Sequence, residues 1–102
     1  MAPNHLSTLG ERIAWARSLV NMSTKELDAL ADLKTPTVHR IEHDDRMPGA
    51  DSVLRIARVL GVTVEWLVDG EGEPPTAGSV GRIVAELRDG RNDALKPTGS
   101  EG

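Results

Sequence analysis

Residues 23–43 read STKELDALADLKTPTVHRIEH. Ser23 followed three residues later by Glu26 is a helix-start signature. The serine oxygen and the glutamate carboxyl can each satisfy an N–H that the first turn leaves without a partner. A short helix through Leu27, Leu30 and Ala31 follows. Asp32-Leu33-Lys34 breaks it. Pro36 suits a first helical turn, where a missing N–H costs nothing. A further short helix then runs through Val38 and Ile41 to about His43.

The rest of the chain repeats this helical grammar. Leu9, Ile13, Ala16 and Val20 form one apolar stripe. Ser7 or Thr8 can cap that helix, Glu11 is placed for a capping box, and Asn21 tolerates a left-handed stop. After the loop Met47-Pro48-Gly49, Asp51 or Ser52 is expected to cap a helix carrying Val53, Leu54, Ile56, Ala57 and Leu60, closed by Gly61. Thr63 caps a short helix with Val64, Trp66, Leu67 and Val68, ended by Asp69-Gly70. Residues 70–78, GEGEPPTAG, read as a linker. Val80, Ile83, Val84 and Leu87 then make another stripe, on a helix over about residues 79–89 stopped at Gly90. The polar residues 91–102 read as a disordered tail. The expected organisation is a domain over residues 1–73, then a linker, a short helix and a tail over 74–102. Two short helices about a tight turn, inside a small all-helical domain, suggest a helix-turn-helix.

Bulk properties narrow the function. The chain has 102 residues and no Cys, which excludes disulfides and thiolate metal sites. No apolar run approaches the ~20 residues needed to cross a bilayer. The first residues show no charged segment followed by an apolar one, so no signal peptide is expected and the protein reads as cytoplasmic. Twelve basic and 16 acidic residues give a net charge of −4, which argues against non-specific binding to nucleic acid or anionic membranes. The excess lies in Leu6–Glu73, with twelve acidic residues against eight basic.

From Leu9 to about Glu73 the chain resembles the Cro/CI (lambda-repressor-like, XRE) helix-turn-helix family. The agreement is closest at residues 60–72, LGVTVEWLVDGEG. Arg12-Ile13, Arg17, Ser23, Leu27, Val38, Ile41, Glu42, Pro48, Ala57, Leu60 and Gly61 fall at the family's spacing. The chain departs from the pattern at four positions. Asp28 stands where many members have a small residue, Asp32 where a Gly opens the turn, Thr24 where a Gln touches phosphate, and Asp44 where a Gly follows the third helix. The resemblance implies an all-α fold: a five-helix lambda-repressor-like domain, here with an added C-terminal amphipathic helix. It also implies a partly buried ion pair between Arg17 and Glu42.

At about 100° per residue, Val38, Ile41 and Glu42 share one side of the third helix. Pro36, Arg40 and His43 lie opposite, flanked by Thr37 and His39. In this family type the outward face enters the major groove, with Lys34 and Thr35 at the helix start. Arg40 can donate two hydrogen bonds to guanine. Thr35 and Thr37 offer hydroxyls and methyls. Ser23, Thr24, Lys34 and Arg46 are candidate phosphate contacts. Asp44 is expected to take a left-handed backbone. Asp45, near the expected phosphate track, would oppose Arg46.

Other signals carry less. HRIEH, residues 39–43, formally matches a zinc-protease string, but no third ligand or cleft accompanies it, and no metal or cofactor is expected. Trp66 reads as core and Trp15 as cover for the flank of the first helix, or as a partner contact. No nucleophile has a base beside it, so no enzyme is expected. The leading expectation is a sequence-specific regulator, a repressor binding a palindromic double-stranded DNA operator as a homodimer. Its C-terminal stripe would bury against its own domain or a second copy, with the dimer contact the favoured use. The alternative is a protein-interaction module, antirepressor- or antitoxin-like, whose acidic surface binds a partner protein.

Overall fold

The computed structural model describes residues 6–44 and 47–95, with side chains to residue 89. It contains six helices and, among the described residues, no strand: α1 Leu9–Ser18, α2 Thr24–Leu30, α3 Thr37–Asp44, α4 Ala50–Leu60, α5 Val64–Asp69 and α6 Ala77–Leu95.

The starts of the helices are set mostly by short polar side chains. Thr8 accepts from the Glu11 N–H, and the Glu11 carboxyl accepts from the Thr8 N–H, so α1 has both halves of a capping box. Ser23 caps α2 by accepting from the Glu26 N–H. The Glu26 carboxyl is turned away to Arg88, so the second half of that box is not made. Thr63 caps α5. Thr76 and Ser79 cap α6 reciprocally, each hydroxyl accepting the other's N–H. The start of α4 differs from expectation: it begins at Ala50 after Gly49, with no side-chain cap, leaving Asp51 and Ser52 inside the first turn.

The stops also follow local chemistry. Asn21 (φ 55°) and Asp32 (φ 58°) take the left-handed conformation, as polar residues with short side chains can. Asp32 thus performs the turn that a Gly would make more cheaply. Asp44 does not join them; it is the last helical residue of α3. Gly61 closes α4 at φ 70°, a left-handed backbone that favours glycine.

The core is one apolar cluster drawn from all six helices, including Ile13, Leu27, Val38, Ile56, Leu60, Leu67, Val80 and Val84. α6 is therefore part of the same core as the five helices before it. Its stripe packs on α4, with Val80 and Val84 buried and Ile83 and Leu87 half-buried. Full burial of such side chains stabilises by about 1.5–3 kcal/mol each. Of the two uses expected for this stripe, the structure shows burial against its own domain rather than the favoured dimer contact. α6 also runs through Gly90 to Leu95, past the expected stop; residues 96–102 lie outside the described residues.

Arg12 ties α1 to α5. It is buried, and its guanidinium donates to the carbonyls of Leu6, Leu67 and Val68. The last two are carbonyls that the end of α5 leaves without helical partners. Trp15 covers this flank, its ring 6.2 Å from that of Trp66.

Candidate nucleic-acid interface

α3 presents two chemically distinct faces. Val38 and Ile41 are buried against α1 and α2. Lys34, Thr35, Pro36, His39, Arg40 and His43 are all exposed, and Thr37 is half-buried at the helix start. The helix begins one residue later than expected, with Pro36 as the flanking residue whose carbonyl accepts from the Arg40 N–H. Arg40 forms no ion pair among the described residues, with Asp44 or any other carboxylate. Among the described residues nothing occupies its fork. Arg46 and Asp45 lie outside the described residues.

The end of α3 is held by Arg17 and Glu42. Arg17 Nε and Nη2 each donate to one Glu42 oxygen at 2.8 Å, and Nη1 donates to the Met22 carbonyl at 2.6 Å. The side chains are 19% and 7% exposed. Two parallel bonds fix orientation as well as distance. Gly10 makes the contact possible: a Cβ there would lie 2.8 Å from the Ile41 carbonyl oxygen and 2.9 Å from Glu42 Cα.

Several hydroxyls on this side already have work within the fold. The Thr37 hydroxyl donates to the Lys34 carbonyl, so it has no proton left for phosphate, though its oxygen and methyl remain. Ser23 Oγ accepts the cap bond and keeps its O–H free to donate. Thr24 is half-buried in the first turn of α2.

The cations divide into those used within the fold and those left open. Arg17, Arg55 and Arg88 are paired with carboxylates, and Arg12 is occupied by carbonyls. Lys25, Lys34, Arg40, Arg58 and Arg82 are exposed and unpaired among the described residues, and the first three belong to the α2-turn-α3 unit. Lys25 is absent from the residues that sequence pattern picks out, although its place one residue after Thr24 on an exposed first turn is a usable signal. Asp28 is likewise not picked out as a functional residue by pattern. It is buried, and its Oδ1 accepts from the Val38 N–H at 2.9 Å.

The rings of His39 and His43 lie 4.1 Å apart at 34°. Among the described residues no group of three or more His, Cys, Asp or Glu is placed to hold a metal ion. No helix among the described residues is long and apolar enough to cross a membrane.

A family model described as helix-turn-helix matches residues 13–67, more than half of the chain. No curated protein and no solved structure gives a significant match.

Proposed function

Since the chain belongs to the helix-turn-helix family of Cro/CI type, a family of DNA-binding regulators that is typically non-enzymatic, we propose that it is a sequence-specific transcriptional repressor that reads a palindromic operator as a dimer. The observation that carries this reading is the open face of α3. Arg40, His39 and His43 stand exposed on it while the opposite face is locked into the core.

In this reading α3 lies in the major groove. Arg40 makes the main base contact, with a guanine as the fitting partner. Thr35 and the methyl of Thr37 supply contacts at the helix start. Ser23, Thr24, Lys25 and Lys34 hold the phosphates on either side, which positions the helix without reading sequence. One helix of this length reads only a few base pairs, so a second copy is needed for specificity. With the α6 stripe covered by α4, exposed Met47 and Val64 beside a shallow cavity of about 320 Å³ between α4 and α5 are the surface assigned to that contact.

A second reading, a partner-binding module, is favoured by the acidic excess of Leu6–Glu73. Selection from a random duplex library at about 0.1–0.15 M salt, where non-specific attraction is weakened, separates the two. Enrichment of a two-fold symmetric sequence is the expected result. A library that emerges without enrichment would overturn the repressor reading in favour of the partner module.

A further inference from the structure

The start of α3 has a cap that does not come from its own neighbourhood. A helix leaves its first N–H groups without internal acceptors. Local side chains do not supply one here. Pro36 has no polar side-chain atom, and the Thr37 hydroxyl is turned back to the Lys34 carbonyl, which also accepts the Thr37 N–H at 2.8 Å. The next N–H, that of Val38, donates to Asp28 Oδ1, ten residues earlier on α2. Asp28 is 1% exposed. Its other oxygen, Oδ2, is buried with no hydrogen-bond donor among the described residues. Leaving a buried polar atom unpaired costs about 1–3 kcal/mol, so a small apolar residue would fill this place at lower cost if packing were its only task.

We propose that Asp28 is the positioning residue of the DNA-reading helix. It is a remote cap that fixes the start of α3 on α2, and with it the angle at which Thr35, Pro36 and Arg40 meet the groove. Arg17 and Glu42 clamp the other end of α3. The helix is thus pinned at both ends by side chains from α1 and α2, and neither pin touches DNA. The effect on DNA rests on the operator reading above; the cap itself does not.

The test joins amide exchange to binding. In the wild-type protein the Val38 amide should exchange slowly. In Asp28→Ala it should exchange fast, and in Asp28→Asn, which keeps a carbonyl oxygen for the bond, slowly again. The preference of Asp28→Ala for the selected duplex over a scrambled one should fall roughly tenfold, within the range of one lost bidentate contact. Its binding to the scrambled duplex should hold, and Asp28→Asn should restore the preference. If Asp28→Ala does not fold by circular dichroism, Asp28→Ser, whose side chain is too short to span to Val38, takes its place. A fast-exchanging Val38 amide in wild type, or one equally slow in the Ala variant, overturns the cap. Proportional loss on both duplexes, or an unchanged preference, overturns the positioning role. A wild-type protein that prefers no duplex defeats the operator reading instead, and the exchange data then decide the cap alone.

Discussion

Arg17 and Arg40 are the same side chain put to opposite uses. At the joint between α1 and α3, Arg17 is bound by both Glu42 oxygens and by a carbonyl, and is largely withdrawn from water. On the outward face of the same helix, Arg40 is exposed and unpaired among the described residues. The joint stabilises the fold, and the open face has donors available for a ligand. The contrast shows why the net charge of −4 misleads as a guide to binding. Part of the cationic charge is neutralised within the fold, while Lys25, Lys34 and Arg40 stay open in the α2-turn-α3 unit beside the exposed Asp32 and Asp44.

The largest effect is expected at the joint. Glu42→Ala leaves the Arg17 guanidinium partly buried without its partner, and breaking such a pair costs about 3–5 kcal/mol. The lower end applies, because Arg17 keeps some contact with water. Urea unfolding should show a clear drop in midpoint with an unchanged slope. A variant that unfolds with wild type would mean that the joint contributes nothing and that the contrast with Arg40 is only apparent.

Arg40→Ala should do the reverse. Its unfolding midpoint should stay near that of wild type, since surface substitutions away from structural features usually fall within about 0.5 kcal/mol. Binding to the selected duplex should weaken by about 1–3 kcal/mol, the worth of a bidentate base contact, while a scrambled duplex is bound as before. Equal weakening on both duplexes would move Arg40 from base reader to phosphate contact.

Gly10→Ala probes how close the joint must be. The new methyl would press on the backbone at Ile41 and Glu42, where nothing flexible can yield. Overpacking of this kind costs about 1–3 kcal/mol, offset by up to about 1 kcal/mol of better helix propensity. A net loss of about 1 kcal/mol in thermal or urea unfolding is expected. A stabilised variant would show that α1 and α3 can separate without harm to the joint.

Features set by neighbours along the chain are legible in the sequence alone. The caps at Thr8, Ser23 and Thr63 and the left-handed stop at Asn21 each depend on three or four adjacent residues. The two faces of α3 are legible too, because helical period alone decides which residues share a side. Where two local signals compete, the sequence misleads: Asp51 and Ser52 both look like caps, yet α4 starts at Ala50. Gly90 looks like a stop, but one glycine costs a helix only about 1 kcal/mol, and α6 continues past it. Contacts across the fold leave no local trace. Nothing near Asp28 names Val38 as its partner, and an apolar stripe at residues 80–87 does not say whether it covers its own domain or another copy.

The smallest effect is expected where two weak partners compete for one carboxyl. Arg88 Nε donates to Glu26 Oε2 at 2.6 Å, joining α6 to the first turn of α2. The side chains are 49% and 30% exposed, and exposed pairs of this kind are worth about 0.2–1 kcal/mol. Glu26 also stands three residues after Ser23, where its carboxyl can reach back to the Ser23 N–H, as the Glu11 carboxyl does to the Thr8 N–H. While it holds Arg88 that bond is not made. Arg88→Ala should release the carboxyl to complete the capping box, so the lost bridge is largely replaced and unfolding should shift by less than about 0.5 kcal/mol. Glu26→Ala removes both options and should cost more than Arg88→Ala, up to about 1 kcal/mol. The order of the two variants in urea midpoint decides the matter. If Arg88→Ala proves the more damaging, α6 depends on this bridge for its place, and the burial of Val80 and Val84 is not what holds it against α4.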